Sequence, residues 1–343
     1  MKKFSELSYT GQVARLRELA EKVLTHYPIK ISKIKFINHG ENTTFKITDS
    51  RKKNYLLRIC RYEYHTAEAL NEELQWLKKL SCQFRVPTPV VSNKKKLLEW
   101  TSTKLLPEGR NTALFHWTDG IFLSTKQSSK NKMKVHHMVS LGRLIGELHN
   151  HETTRGKVTH RKYWTVQGLV GRKSKFGSID HITQATPVQQ RLISITRRSL
   201  CVSMKKFEKK YPSKQGLIHA DLHFRNLVFN KRDIALIDFD DSGFGFFAYD
   251  LAIPILSVTS SKFLLKKEKI LFRKAILEGY QQVQPWTTDD EKFLEQCMLA
   301  RKLLMLGWLN SRSDNPKLKK YVKTAIKEAV SWITRKERGL SYI

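Results

Sequence analysis

The sequence is poor in the features that would place it among secreted, membrane or metal-cluster proteins. Its four cysteines, Cys60, Cys82, Cys201 and Cys297, are scattered with no CxxC spacing, so neither a disulfide framework nor a structural zinc site has a basis. Reduced, buried thiols and a cytoplasmic location are the corresponding expectation. No apolar run approaches the roughly 18 to 20 residues needed to cross a bilayer. The longest, Ala248 to Val258, is broken by Asp250 and Pro254. The first residues, Met1-Lys2-Lys3-Phe4-Ser5-Glu6, have no apolar segment behind their lysines, so no signal peptide is expected. Repeats and low-complexity tracts are absent as well.

Negative charge is also scarce. Asp and Glu number 31 against 63 Lys and Arg, giving a formal net charge of +32, spread over many short basic runs. A generally basic, solvated surface accounts for this. A face for nucleic acid or another acidic partner would also fit, but no nucleic-acid recognition motif supports it. Apolar residues at 40% and charged residues at 27% describe an ordinary globular chain, and 343 residues suffice for two lobes.

The periodicities divide the chain. Apolar residues from Gln12 to Thr25 recur at helical spacing, and alternating runs at Ile31–Phe36, Thr43–Thr48 and Tyr55–Cys60 read as strands. Thr66–Leu80 returns to helical spacing, and Val90–Trp100 and Lys104–Trp117 read as two more strands. The order β-β-β-α-β-β predicts a small antiparallel sheet carrying one helix. Beyond a break near Asp119-Gly120 the pattern is mostly helical. It includes His136–His149 and late helices over Lys269–Gln282, Asp289–Leu309 and Lys317–Thr334, with Thr288 and Glu291 as a capping box. The predicted fold class is α+β, with a lobe over 1–117 and a helical lobe over 118–343.

The chemistry concentrates in Leu217–Asn230 and Ile234–Asp241. His219-x-Asp221-x-x-x-x-Asn226 has the spacing of a kinase catalytic loop, in which the aspartate receives the acceptor hydroxyl's proton and the asparagine holds a metal ion. After a hairpin, an apolar strand delivers Asp238. Phosphoryl transfer needs an acceptor oxygen in line, a positioned carboxylate and cations on the phosphate oxygens. Mg²⁺ prefers hard oxygen ligands and keeps several waters, so one carboxylate and one amide oxygen are a plausible protein share.

These residues, with Ile237-Asp-Phe-Asp-Asp241 and Tyr249-Asp-Leu-Ala252, resemble the aminoglycoside phosphotransferase and choline kinase superfamily, within it most the branch of type II homoserine kinase and bacterial stress-response kinases. The resemblance extends to Gly40-Glu41-Asn42, Tyr55–Arg58, Glu73–Leu77, Phe115-His-Trp117, Leu141–His149 and Gly279-Tyr280. It implies a bilobal, protein-kinase-like fold with ATP or GTP between the lobes. It also implies Asp221 as base, Asn226 and Asp238 as magnesium ligands, His219 bracing the loop and Asp250 fixing it from behind.

In the first lobe the resemblance implies nucleotide contacts at Gly40, Glu41, Asn42, Arg58, Glu73, Phe115 and Trp117. The loop at Gly40 has one glycine where a GxGxxG would have three. Arg58 stands where a lysine is expected, paired with Glu73 or, one register off, Glu72. Arginine keeps a permanent charge and grips phosphate bidentately. Ala220 replaces a frequent glycine, a tolerated change if its φ is negative. His149 and His151 end a helix and read as structural, set against the helix dipole.

The implied acceptor is a small-molecule hydroxyl, on an amino alcohol, amino acid or aminoglycoside. A Ser/Thr protein kinase and a catalytically silent basic binding protein are the alternatives. The first lacks an Ala-Pro-Glu segment, and the second is disfavoured by the intact Asp221, Asn226 and Asp238.

Overall fold

Alternation of more and less buried residues along the strands Ile31–His39 and Thr43–Asp49 gives each one face toward a core and one away from it. The computed structural model describes residues 2–126, 128–151, 160–172, 174, 176–231, 233–313 and 316–337. They form two units. One is Met1–Gly120 with Thr159–Arg161 and Ala235–Ile237, and the other is Ile121–Val158, Lys162–Ile234 and Asp238–Ile343.

The first unit contains α1 (Tyr9–Leu24), β1 (Ile31–His39), β2 (Thr43–Asp49), β3 (Asn54–Ile59), α2 (Ala67–Leu80), β4 (Glu99–Thr103) and β5 (Leu106–His116). The strands make one antiparallel sheet in the order β1-β2-β3-β5-β4. Ser8 caps α1 by accepting from the Gly11 N–H, and Thr66 caps α2 by accepting from the Ala69 N–H, both at 3.2 Å. The apolar stripe of α1 (Leu16, Leu19, Ala20, Val23) packs on Phe45, Ile47, Leu57, Ile59 and Leu114 from the sheet. The opposite sheet face carries Lys46, Leu56, Arg58, Ala113 and Phe115, in register across three strands.

The strand expected over Val90–Trp100 is mostly loop. Only Glu99 and Trp100 of it belong to β4, whose ladder with β5 ends there. The polar centre of the stretch, Ser92-Asn-Lys-Lys-Lys96, forms a turn closed by the Ser92 N–H on the Lys96 carbonyl, with Lys95 at positive φ, and this splits the two short apolar pairs, Val90-Val91 and Leu97-Leu98.

In the second unit come α3 (Val135–Asn150), β6 (Lys162–Trp164), α4 (Val166–Val170), α5 (Pro187–Lys210), β7 (Gln215–Ile218), β8 (Leu227–Asn230) and β9 (Asp233–Leu236). They are followed by β10 (Gly243–Phe246), α6 (Phe247–Thr259), α7 (Lys266–Gln281), α8 (Thr288–Asn310) and α9 (Pro316–Glu337). β6, β10 and β7 form a small mixed sheet, and β8 and β9 form the expected ribbon, in whose turn Arg232 lies outside the described residues. The cap of α8 is one residue earlier than expected, with Thr287 and Asp290 as the reciprocal pair.

Two glycines let α3 and α7 cross at backbone contact. A Cβ on Gly142 would lie 1.9 Å from the Ile276 carbonyl oxygen, and one on Gly279 would lie 2.0 Å from that of Val139. That crossing brings His149 of α3 beside Tyr280 of α7. All four cysteines are free. Cys60 and Cys297 are buried, but Cys82 is exposed, because it falls in the turn after α2.

Candidate active site

The loop after β7 is gripped from behind by a buried carboxylate. Asp250, in the first turn of α6, accepts from the His219 N–H at 2.8 Å and from the Ala220 N–H at 2.6 Å. His149 Nε2 stands 3.2 Å from the same Asp250, while His149 Nδ1 bonds the Tyr280 hydroxyl at 3.0 Å. The imidazole also stacks on Phe247, with centroids 4.4 Å apart. His149 is therefore structural, as expected, but through this buried chain rather than through a helix dipole.

Ala220 has φ +65°, in the left-handed region. The condition under which alanine would replace glycine without cost, a φ that is not positive, is therefore not met, and the chain turns sharply just after the two N–H groups held by Asp250. The strain is of order 1 kcal/mol or somewhat more. Two bonds to a charged acceptor offset it.

The reversal presents Asp221. Asn226 Nδ2 donates to the Asp221 carbonyl at 2.9 Å and to its carboxylate at 3.3 Å, and the turn is closed by the Asn226 N–H on the His223 carbonyl. Among the described residues nothing donates to the Asn226 amide oxygen, so it stays available to a cation. His219 is fully buried. Its Nδ1 accepts from the Asp221 N–H at 3.3 Å, and its ring lies 4.4 Å from that of Phe239. That contact ties the catalytic loop to the segment carrying Asp238, which is exposed and also left-handed at φ +65°.

Sequence reasoning did not find Arg301. Projecting from α8, it donates from Nη2 to Asp221 Oδ1 at 2.5 Å and from Nη1 to the Tyr249 hydroxyl at 3.0 Å. His223 Nε2 lies 3.4 Å from the other Asp221 oxygen. Burial acts to raise the Asp221 pKa, but Arg301, His223 and His219 outweigh it and hold the carboxyl below its usual range. The His223 pKa moves down because burial outweighs the pull of Asp221. Nearby, Lys162 of β6 pairs with Asp241, whose carbonyl also accepts from the Trp164 indole N–H at 2.7 Å.

In the first unit, Arg58 and Glu73 form the expected pair, with two bonds at 2.7 and 3.1 Å. The guanidinium lies 5.3 Å from the centroid of Phe115. Glu72 instead accepts from the His160 and Arg161 N–H groups, and the Arg161 guanidinium adds a second cation 3.5 Å from Glu73. Lys46 lies over the ring of Trp117 at 4.4 Å. Arg161 and Lys46 were not anticipated, since basic residues occur throughout the chain and neither belongs to a motif.

The loop at Gly40–Asn42 joins β1 and β2 as expected. Its glycine is not left-handed, and a Cβ there would meet only the Asn38 amide nitrogen, at 3.3 Å. Glu41 pairs with Arg61, whose N–H donates to the Asn42 side chain at 3.1 Å. Gly40 and Glu41 line a cavity of about 760 Å³ on the α1 side of the sheet, with Arg15, Arg61 and Arg110 in its wall. Arg58 is on the other face, so the structure groups Arg58, Glu73 and Phe115 but sets Gly40 and Glu41 against different neighbours.

A five-stranded antiparallel sheet with its Arg–Glu pair, and a helical unit bearing a braced His-x-Asp-x-x-x-x-Asn turn, define a protein-kinase-like phosphotransferase. The chain belongs to the phosphotransferase enzyme family, whose model matches residues 33–292. It is accordingly a small-molecule kinase with an alcohol group as acceptor. An amicoumacin kinase of Bacillus subtilis (strain 168) is 20% identical over 302 residues, 84% of this chain and 83% of that one.

Among solved structures, a microcompartment-associated aminopropanol kinase is 24% identical with a TM-score of 0.77, covering 95% of this chain and all of that one. An amicoumacin kinase in complex with AMP-PNP, Ca²⁺ and Ami is 20% identical with a TM-score of 0.73, covering 94% and 96%. A choline kinase from Cryptosporidium parvum Iowa II is 18% identical with a TM-score of 0.63, covering 94% and 97%. At these identities the structural likeness establishes the fold. Among the described residues, no helix is long and apolar enough to cross a membrane.

Proposed function

We propose that the chain transfers the terminal phosphoryl group of ATP or GTP to a hydroxyl of a small molecule, with Asp221 as the base. The observation that carries this reading is the turn in which Asn226 bonds the Asp221 carboxylate and leaves its own amide oxygen free. In the reaction, the acceptor oxygen forms a bond to the γ-phosphorus as the bond to the nucleoside diphosphate breaks. The acceptor's proton passes to Asp221 and then to solvent.

Asp221 is suited to orienting the hydroxyl, because Arg301 keeps it ionised and fixed at 2.5 Å. His219 and Asp250 hold the loop and do not touch the reacting atoms. Arg58, kept in place by Glu73, is assigned to the phosphates, and Phe115 and Trp117 to the nucleotide beside it. Gly40, Glu41 and Asn42 are assigned to the loop that covers the phosphates.

The donor set fits a divalent cation. One amide oxygen (Asn226) and one exposed carboxylate (Asp238) are hard ligands, and Mg²⁺ completes its shell with water and phosphate oxygens. Among the described residues no group of three His, Cys, Asp or Glu side chains makes a dedicated metal cage. When bound, the cation would neutralise charge on the transferring phosphate.

Thermal denaturation with ATP or GTP, with and without Mg²⁺, tests the reading on the wild type and Asp238→Ala. Metal-dependent stabilisation that the variant loses is the expected result. A wild type that no nucleotide stabilises would overturn the assignment.

A further inference from the structure

We propose that the acceptor carries a negative charge close to the hydroxyl that is phosphorylated, and that Arg301 holds that anion while it positions Asp221. The acceptor is then a small hydroxy acid rather than a hydroxy amine. This inference rests on the reading of Asp221 as the base.

Arg301 has five N–H donors in a planar fork and is charged at any accessible pH. Two of them are used, one on Asp221 and one on the Tyr249 hydroxyl. Among the described residues, the Nε–H and one N–H on each terminal nitrogen find no hydrogen-bond acceptor. The side chain is only 11% exposed, so water satisfies these donors poorly. Unfilled donors on a largely buried cation are costly, and a carboxylate matches the fork geometry in which they are arranged. They lie within one guanidinium of the oxygen that takes the acceptor's proton, so an anion bound there brings its own hydroxyl to the base.

The neighbouring carboxylates do not offer an ammonium group an equivalent place. Those acting on Arg301 and Tyr249 are Asp221 and Asp241. Arg301 itself pairs with Asp221, and Lys162, 8% exposed, pairs with Asp241. A hydroxy amine would therefore bring its positive charge against Arg301 with both carboxylates already matched. The Tyr249 hydroxyl stays protonated, because burial pushes its pKa well up, and adds a neutral polar group beside the fork. The net charge of +32 draws anionic acceptors from solution in the same sense.

Three acceptors on one carbon skeleton separate charge from shape: glycerate, glycerol and 3-amino-1,2-propanediol. The measurement is Mg²⁺-ATP-dependent ADP release above the acceptor-free rate. Glycerate is expected to exceed the amine in kcat/KM by tenfold or more. Arg301→Gln should lower kcat/KM for glycerate at least tenfold more than for glycerol, mainly through KM, and Arg301→Lys should recover part of the loss. The melting temperature and Mg²⁺-ATP stabilisation of each variant report whether it is folded. If a variant is not folded, the wild-type ranking decides.

Equal or better use of the amine, an equal loss on all three acceptors in Arg301→Gln, or no acceptor-stimulated release would each overturn the inference. If the wild type still binds Mg²⁺-nucleotide in those cases, the phosphotransferase reading stands. A wild type that does not bind nucleotide would remove both.

Discussion

Replacing Asp250 by asparagine leaves the shape of the buried side chain but converts one acceptor oxygen into a donor. The carboxylate receives the His219 N–H on Oδ2 at 2.8 Å and the Ala220 N–H on Oδ1 at 2.6 Å, with His149 3.2 Å from Oδ2. The least damaging amide orientation keeps its oxygen at the doubly used position and turns its NH₂ toward the Ala220 N–H. That leaves a buried backbone donor facing a donor, at about 1–3 kcal/mol, and removes the charge from the bonds that remain. A total of about 2–4 kcal/mol follows, which in a protein of this size lowers the melting temperature by roughly 3–6 °C.

The functional loss should exceed what stability alone would cause. The Oδ1 bond anchors the peptide from which Ala220 turns at φ +65°, and release of that anchor displaces Asp221, the next residue. A displacement of about 1 Å at a reacting group costs on the order of a hundredfold in rate. Differential scanning calorimetry and steady-state turnover on Asp250→Asn are the assays. A variant melting within 1 °C of wild type, with turnover within twofold, would refute the argument that this carboxylate sets the loop.

Ala220→Gly should be neutral or stabilising by up to about 1 kcal/mol, since glycine's freedom in the unfolded chain cancels part of the relieved strain. A clear loss of stability in a melting curve would contradict the left-handed assignment. Glu73→Gln leaves Arg58 and Arg161 buried without their shared carboxylate, so a loss of about 3–5 kcal/mol is expected by chemical denaturation, with weakened nucleotide binding. Retained stability would mean the pair is dispensable. The pH dependence of turnover follows from Asp221. A depressed folded-state pKa keeps the base ionised, and its stabilising contribution present, until pH falls through that low value. Arg301→Gln removes the largest lowering influence and leaves burial, which raises, so the acid limb of the pH–kcat profile should move upward. An unmoved or lower limb would argue against the ion pair.

What was legible in the sequence was mostly local. His219 to Asn226 lie in one turn, so their spacing carried the arrangement, and the two-residue strand period carried Arg58 to the face where α2 offers Glu73. Geometry set by distant parts was hidden. The anchor of the His219 and Ala220 N–H groups is Asp250, thirty residues on, and Arg301 lies eighty residues from Asp221 on a helix buried on nearly every side, where no amphipathic pattern singles it out. The cap of α8 was misread by one residue because Thr287-Thr288-Asp-Asp-Glu291 satisfies the capping pattern in either register. Arg161 precedes a three-residue strand too short to leave a periodic signal.

The most direct test of the central claim is magnesium-dependent ADP release from ATP by wild type and Asp221→Asn in the presence of a hydroxylated acceptor, with nucleotide binding measured alongside. The account expects the variant to lose about 10²–10⁴-fold in kcat while Mg²⁺-ATP still stabilises it as it does the wild type. A variant that turns over at the wild-type rate would contradict it.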